Sequence, residues 1–333
     1  MAVVRCRLAF GATLWVNSQS LSWLRQDPGA RLIESSQFVA IPTWVRYIVP
    51  SLYDRPMLIP KKSLGQNFLQ DDNIARKIVK NLHVQRGDHL VEIGPGHGAL
   101  TRHLRELTDE LTVIEIDRRA VEVLRERWGS SLRIVHADVL QVSLTDLRRT
   151  MGGRLRVVGN IPYYITSEIV FWLFDQRAYV SDATLMVQWE VARRFIALPK
   201  TKEYGILSVF AQYYTKPRLL FKVSRNSFYP RPNVDSALVQ FTFKSTLEDG
   251  NEELFRRVVR ATFGKRRKTL RNGLRCMGLD EPALKKLAFD LTQRPEDLTY
   301  QEFLRLTSLV EPLMNSGREV SERSDERYIS SQT

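Results

Sequence analysis

The segment Asn160-Ile161-Pro162-Tyr163 sets a side-chain amide, a backbone carbonyl, a ring-locked residue and an aromatic side chain at consecutive positions. That combination answers the chemistry of an exocyclic amine on a base such as adenine. Such an amine is a poor nucleophile, because its lone pair is delocalised into the ring. If the Asn160 side-chain oxygen and the Ile161 carbonyl accept its N–H groups, the nitrogen is drawn toward tetrahedral geometry and the lone pair is freed. Pro162 restricts the backbone so that the carbonyl points inward, and Tyr163 stacks on the base. No general base is needed before group transfer, since the alkylated ammonium product is strongly acidic, so catalysis is positioning and electrostatics. A turn after a strand, where Asn and Pro are common, is the ordinary alternative.

A second constellation explains what would be transferred. Val91-Glu92-Ile93-Gly94-Pro95-Gly96-His97-Gly98 puts a glycine loop directly after an apolar run, where a Cβ would collide with a cofactor lying on the backbone. Nicotinamide and flavin enzymes use related loops. Here the spacing is G-x-G-x-G with Glu92 ahead of it, which favours S-adenosylmethionine and its zwitterionic amino-acid end. Glu115, at the end of the next apolar run, is the expected bidentate acceptor for ribose hydroxyls. Asp138, at the end of the third, can accept from the cofactor adenine's amino group. Each acid alone reads as a solvated strand end; three loops in succession read as a cofactor site, with Gly94 and Gly96 at its centre. A base inside a duplex cannot present its amine to such a pocket and must be single-stranded or flipped out. Phe228, between Ser227 and the stiff Tyr229-Pro230-Arg231-Pro232 loop, is the candidate second wall, with a core phenylalanine as the competing reading.

The elements that must position these residues follow from periodicity. Residues 89–93, 111–116, 132–137, 155–159 and 183–187 read as buried strands, separated by helical patterns at 100–107, 119–127 and 167–174. Strand-helix alternation implies an open α/β sheet with its ligand at the carboxyl ends of the strands. Residues 219–223 and 237–243 look like an antiparallel pair on the sheet edge. Beyond Lys244 the pattern is helical, at 252–263, 268–277, 281–289 and 300–309. Four segments are expected: an extension over residues 1–56 with Met57 as the working start, a methyltransferase domain over 57–244, a helical domain over 245–314 that docks on RNA, and an unstructured tail over 315–333.

The chain of 333 residues carries 50 Lys and Arg against 37 Asp and Glu, a formal charge of +13, which suits a polyanionic partner. The excess is clustered: nine basic residues and no acid lie between Leu254 and Arg275. Arg256, Arg257, Arg260, Lys265, Arg266, Arg267, Lys268 and Arg271 are therefore candidate RNA contacts. The two cysteines, Cys6 and Cys276, form no CxxC pair and no zinc-like cluster with histidine, so no metal is expected and the expected compartment is reducing, the cytosol. No apolar run approaches the roughly 20 residues that span a bilayer, so no membrane partner is expected.

From about Pro60 to Leu313 the chain resembles the ribosomal RNA adenine N6-dimethyltransferase family. Beyond the motifs above, the resemblance includes Leu64-Gly65-Gln66-Asn67-Phe68-Leu69, Met186-Val187-Gln188, Glu203 to Val209 and the run from Phe228 to Ala237. It implies a Rossmann-like class I methyltransferase sheet with a small all-helical C-terminal domain, acting as a monomer. It further implies dimethylation of two adjacent adenines in a hairpin loop near the 3′ end of small-subunit (16S) ribosomal RNA, in an assembling subunit during ribosome biogenesis. In the family the Gln-Asn-Phe-Leu segment folds over the cofactor, which adds Asn67 and Leu69, and Asn160 itself, to the cofactor contacts. One departure is Trp189, where the family usually carries a lysine; it puts an RNA contact there in doubt. Competing readings are the same chemistry on large-subunit RNA, a non-catalytic assembly factor on this fold, and a nicotinamide oxidoreductase, which lacks a hydride-site acid.

Overall fold

The computed structural model describes the backbone of residues 3–7, 13–17 and 32–34, and residues 59–61, 64–151, 153–264 and 268–314. Met57, Lys265, Arg266, Arg267 and the segment 315–333 lie outside the described residues. The chain divides into two compact units, Met1–Met57 and Leu58–Thr333. In the first, β1 (Val3–Arg7) pairs antiparallel with β2 (Thr13–Asn17) and β3 (Leu32–Glu34). The sequence shows no sustained strand periodicity there, because strands this short hold too few alternations to register.

The second unit opens with β4 (Phe68–Leu69), α1 (Asp72–Leu82), β5 (His89–Ile93), α2 (Thr101–Leu104), β6 (Leu111–Glu115), α3 (Arg118–Trp128) and β7 (Arg133–His136). It continues through α4 (Leu144–Met151), β8 (Leu155–Asn160), α5 (Thr166–Asp175), β9 (Val180–Gln188), α6 (Trp189–Ile196) and α7 (Ile206–Tyr214). Then come β10 (Thr215–Val223), β11 (Phe228–Tyr229), β12 (Ser236–Phe243), α8 (Glu252–Phe263), α9 (Leu270–Cys276), α10 (Glu281–Lys286) and a last helix α11 over 300–314. Side-chain caps fix the helix starts: Asp71 accepts from the Asn73 and Ile74 amides, Asp117 from Arg119, and Asn251 from Leu254.

The main sheet has the order β10-β12-β9-β8-β5-β6-β7. β5 to β9 run parallel, β12 is antiparallel to β9, and β10 is antiparallel to β12. The chain moves outward from β5 to β7 and then returns to lay β8 on the other side of β5. That reversal opens a crevice outside the carboxyl ends of β5 and β8, where an open α/β sheet binds its ligand. Alternate strand residues feed opposite faces: Val91 and Ile93 join the cluster with α5 to α11, whereas Leu90 joins the cluster with α1 and α2.

Some elements depart from the periodicity. α2 is a single turn, and α10 stops at Lys286 rather than reaching Phe289. Past α10 the chain turns so that the Gln293 and Leu291 carbonyls accept from the Leu270 and Arg271 amides at the start of α9, a capping demand that local sequence does not express. α7 is buried on most of its sides, including Ser208, Phe210, Tyr213 and Tyr214, and a helix buried all round carries no amphipathic period.

Candidate active site

A cavity of about 290 Å³ sits at the carboxyl ends of β5, β6, β7 and β8 and is lined by Gly94, Gly96, Glu115, Asp138, Asn160, Ile161, Pro162 and Tyr163. The sequence-predicted residues Gly94, Gly96, Glu115, Asp138 and Asn160 to Tyr163 thus border one space. Gly94, Gly96 and Gly98 have φ of 65°, 56° and 87°, a region open mainly to glycine. A Cβ on Gly98 would lie 2.4 Å from the Trp128 ring and one on Gly96 2.8 Å from the Phe68 ring. At Gly94 a Cβ would meet only Asn160 O, at 3.7 Å. Gly94 is thus called for by its backbone conformation and leaves open space beside the cavity, while at Gly96 and Gly98 protein rings also press on the backbone.

Glu115 is buried, and its two oxygens are held by backbone amides: Gly96 N–H donates to Oε2 at 3.0 Å and Asp117 N–H to Oε1 at 2.8 Å. Burial raises its pKa and these amides oppose the rise. Each oxygen keeps a lone pair, so the carboxylate is oriented for a diol without a new partner being needed to fix it. Asp138 caps the turn after β7 through Oδ1, which accepts from the Leu140 amide at 3.0 Å. Glu92, two residues before Gly94, is fully buried, with the Thr101 hydroxyl donating to Oε2 at 2.7 Å, and burial pushes its carboxyl up to about 8. A group whose folded pKa is raised stabilises the fold fully below its unfolded value and progressively less as pH rises through the folded one. Glu92→Gln, which keeps an acceptor for Thr101, is therefore expected to flatten the dependence of stability on pH between 4.5 and about 8 and to exceed the wild type above that window. Melting temperatures across pH check this; parallel curves for the two proteins would refute it.

Residues 59–61 and 64–69 form a strap beside the crevice, with Leu64 to Phe68 on the cavity lining. Gln66 Nε2 donates to Asp117 Oδ2 at 3.1 Å, the Lys61 ammonium lies 3.5 Å from Asp117 Oδ1, and Arg119 reaches both Asp117 and the Ile59 carbonyl. The Arg119 guanidinium holds the buried Asp117 carboxyl well below the usual carboxylate range. Asn67 and Phe68 line the cavity, Phe68 standing 5.1 Å from the His97 ring between centroids. Gln66 and Phe68 escaped residue-by-residue reasoning, their only signal being the Gln-Asn-Phe-Leu resemblance; Asp117 closes the same run as Glu115, with nothing local to mark it as the anchor of the strap. Leu69 is buried in the core beside α1 and is absent from the cavity lining.

The strap also fixes the candidate catalytic amide. Asn160 Nδ2 donates to the Asn67 carbonyl at 2.9 Å, which ties one N–H of the amide to the strap and leaves Oδ1 able to accept. Among the described residues no group donates to the Ile161 carbonyl. Pro162 sits at φ −60° and ψ 135° ahead of the turn Tyr163–Ile165. The Tyr163 hydroxyl is 2.6 Å from Ser236 Oγ on β12, which pins the ring.

Phe228 is placed differently from the expectation. It pairs with Leu69 through the short β4–β11 ladder, is 4% exposed, and packs among Leu69, Met186, Val223 and Leu238 rather than on the cavity wall. The competing core reading describes this arrangement, because the ladder that anchors the strap also covers the ring. Trp189 is half-buried at the start of α6 with the Lys222 ammonium 5.3 Å from its ring centroid, so a cation remains next to the departing position.

The basic run is split in space. Arg256 is held inside by Asp175, Glu252 and the Tyr214 hydroxyl, and Arg271 pairs with Glu281. Acids outside the run, Asp175 far before it, Glu252 just before it and Glu281 after it, thus absorb charges that looked unpaired. Arg257, Arg260 and Lys268 are exposed. Among the described residues no group of three His, Cys, Asp or Glu could hold a metal, and no helix is long and apolar enough to cross a membrane.

A family profile described as "Ribosomal RNA adenine dimethylase" matches residues 58–311. The chain is 45% identical over 261 residues to a ribosomal RNA small subunit methyltransferase A of Chlorobium phaeobacteroides strain BS1, covering 78% of this chain and 97% of that protein. It is 39% identical to the protein of the same name from Clostridioides difficile strain 630, over 77% and 92% of the two chains. Among solved structures, a dimethyladenosine transferase from Plasmodium falciparum superposes with a TM-score of 0.62 at 24% identity, over 75% of this chain and 98% of that one. The 23S rRNA methyltransferase ErmE superposes with a TM-score of 0.55 at 27% identity, over 74% and 100%.

Proposed function

The chain belongs to the ribosomal RNA adenine dimethylase family, and from that premise we propose that it methylates the N6 amino groups of two adjacent adenines near the 3′ end of small-subunit rRNA. The observation that carries the chemistry is the Asn67 carbonyl holding Asn160 Nδ2 at 2.9 Å. It turns a freely flipping amide into an acceptor of fixed direction. An amino group entering the cavity gives one N–H to Asn160 Oδ1 and the other to the Ile161 carbonyl, and its lone pair is left pointing out of the base plane. Tyr163, its hydroxyl anchored on Ser236, supplies one stacking face. Phe228 braces the strap from the core side.

The family's methyl donor is S-adenosylmethionine, which when bound supplies an electrophilic methyl on a sulfonium. The residues fit it: Gly94 leaves open space against the backbone, Glu115 presents an oriented carboxylate for ribose hydroxyls, and Asp138 lies where an adenine amino group can be read. Asn67 and Asn160, on the lining of the same cavity, would complete the donor's contacts. Barrier reduction then comes from alignment of the amine and exclusion of water by the strap. The exposed Arg257, Arg260 and Lys268 form the electrostatic footprint for RNA in an assembling subunit in the cytoplasm, and Lys265, Arg266 and Arg267 belong to the same basic run of the sequence.

The test is mass-spectrometric and primer-extension mapping of adenine methylation, using purified enzyme, donor and small subunits lacking these methyl groups. Two neighbouring N6,N6-dimethyladenosines near the 3′ end of the small-subunit RNA are expected. Methylation confined to large-subunit RNA, or tight subunit binding without turnover, would overturn this reading.

A further inference from the structure

Tyr164 lines the cavity and yet is 58% exposed, the one aromatic residue among the described residues that does both. One edge of its ring nevertheless packs on the protein. Gly65, at φ 55°, brings its backbone so close that a Cβ there would lie 2.8 Å from Tyr164 Cδ1 and 2.9 Å from Cε1. The strap thus supports one edge of the ring, and the remainder meets solvent at the cavity mouth. Tyr163 and Tyr164 occupy successive positions of the 3₁₀ turn Tyr163–Ile165, and at about three residues per turn successive side chains diverge by roughly 120°. The first ring is directed to Ser236 and the second to the rim.

We propose that Tyr164 is the stacking platform for the nucleotide adjoining the target adenine, and that it makes the enzyme selective for a purine at that neighbouring position. This rests on the functional reading above. A base extruded into the cavity leaves its neighbour without a stacking partner, and that loss opposes binding. An aromatic ring at the mouth, with one edge already against the Gly65 backbone, replaces the partner. Stacking is tolerant of hydrogen-bonding pattern but grows with ring area, so a purine gains more than a pyrimidine.

The test is a double-mutant cycle between Tyr164 and the neighbouring base. Small subunits carry either the natural adenine pair or a pair in which one adenine is replaced by uridine, and methylation of the remaining adenine is followed for wild type, Tyr164→Ala and Tyr164→Phe. For the wild type, the uridine substitution is expected to lower kcat/KM about tenfold, chiefly through KM. Tyr164→Ala is expected to show about that loss already on the natural pair and to be indifferent to uridine, with its affinity for S-adenosylmethionine unchanged. Tyr164→Phe is expected to keep the discrimination. If Tyr164→Ala discriminates as the wild type does, or if its loss lies in affinity for the methyl donor, the platform is refuted. Absence of methylation by the wild type on the natural pair would instead strike the functional reading on which the inference stands.

Discussion

Asn160→Ala is expected to lower the single-turnover rate of methyl transfer by about 10²–10³-fold at saturating methyl donor, with a folded protein. The size follows from deleting one preorganised polar contact to the reacting group in a water-poor site. Two losses combine. The acceptor that draws the amine out of conjugation disappears, and the Asn67 carbonyl loses its donor. The second effect costs stability on the order of 1 kcal/mol, too little to unfold the unit, so the rate loss reports chemistry. Because Asn160 is also proposed to touch the donor, affinity for S-adenosylmethionine should weaken as well, and saturation separates the two effects. An Asn160→Ala enzyme that methylates at the wild-type rate would remove the proposed mechanism, whatever the RNA.

The second large effect concerns how the C-terminal helices are joined to the sheet. Phe255 of α8 is fully buried, with its ring 4.4 Å from Tyr213 and 5.9 Å from Phe210, both on α7. Tyr204 reaches the same helices by donating its hydroxyl hydrogen to the Leu298 carbonyl at 2.8 Å. Phe255→Ala leaves a cavity at this joint and is expected to cost about 3–5 kcal/mol. Since the apolar cluster runs without a break from β5 and β8 through α7 to α8 and α11, the loss should appear as a lower melting temperature of one cooperative transition that includes the sheet. Two separated transitions, with the one assigned to the sheet unmoved, would show that the helical segment folds by itself.

Much of the catalytic region was legible because its signals are local. The apolar runs that become β5 and β8, the glycines after β5 and the four residues from Asn160 to Tyr163 are each contiguous, and their order along the chain fixes which loops meet at a switch point. The strap was not legible from residue types. Gln66 and Asp117 are 51 positions apart and Asn67 and Asn160 are 93 apart, and nothing in either local pattern announces the pairing; only resemblance to a family pointed there. Charge misled for the same reason. Arg256 and Arg271 sit in an acid-free stretch, but Asp175, 81 positions before Arg256, and Glu281, beyond the stretch, fold back onto them. Phe228 carried the right chemistry for a stacking wall, and pairing of β11 with β4 placed it inside.

By itself, then, the sequence determined the chemistry available: an amide, a carbonyl and a ring after one strand, and a glycine loop and two carboxylates after three others. Those follow from covalent order, since a strand and the loop after it cannot be separated. Tertiary structure alone decided the direction of the Asn160 amide, the closure of the strap by Asp117 and Arg119, the burial of Phe228 and the exposure of Tyr164. Each of these depends on a contact between segments distant along the chain, and such contacts are selected by burial and hydrogen-bond satisfaction over the whole fold rather than by any local run of residues.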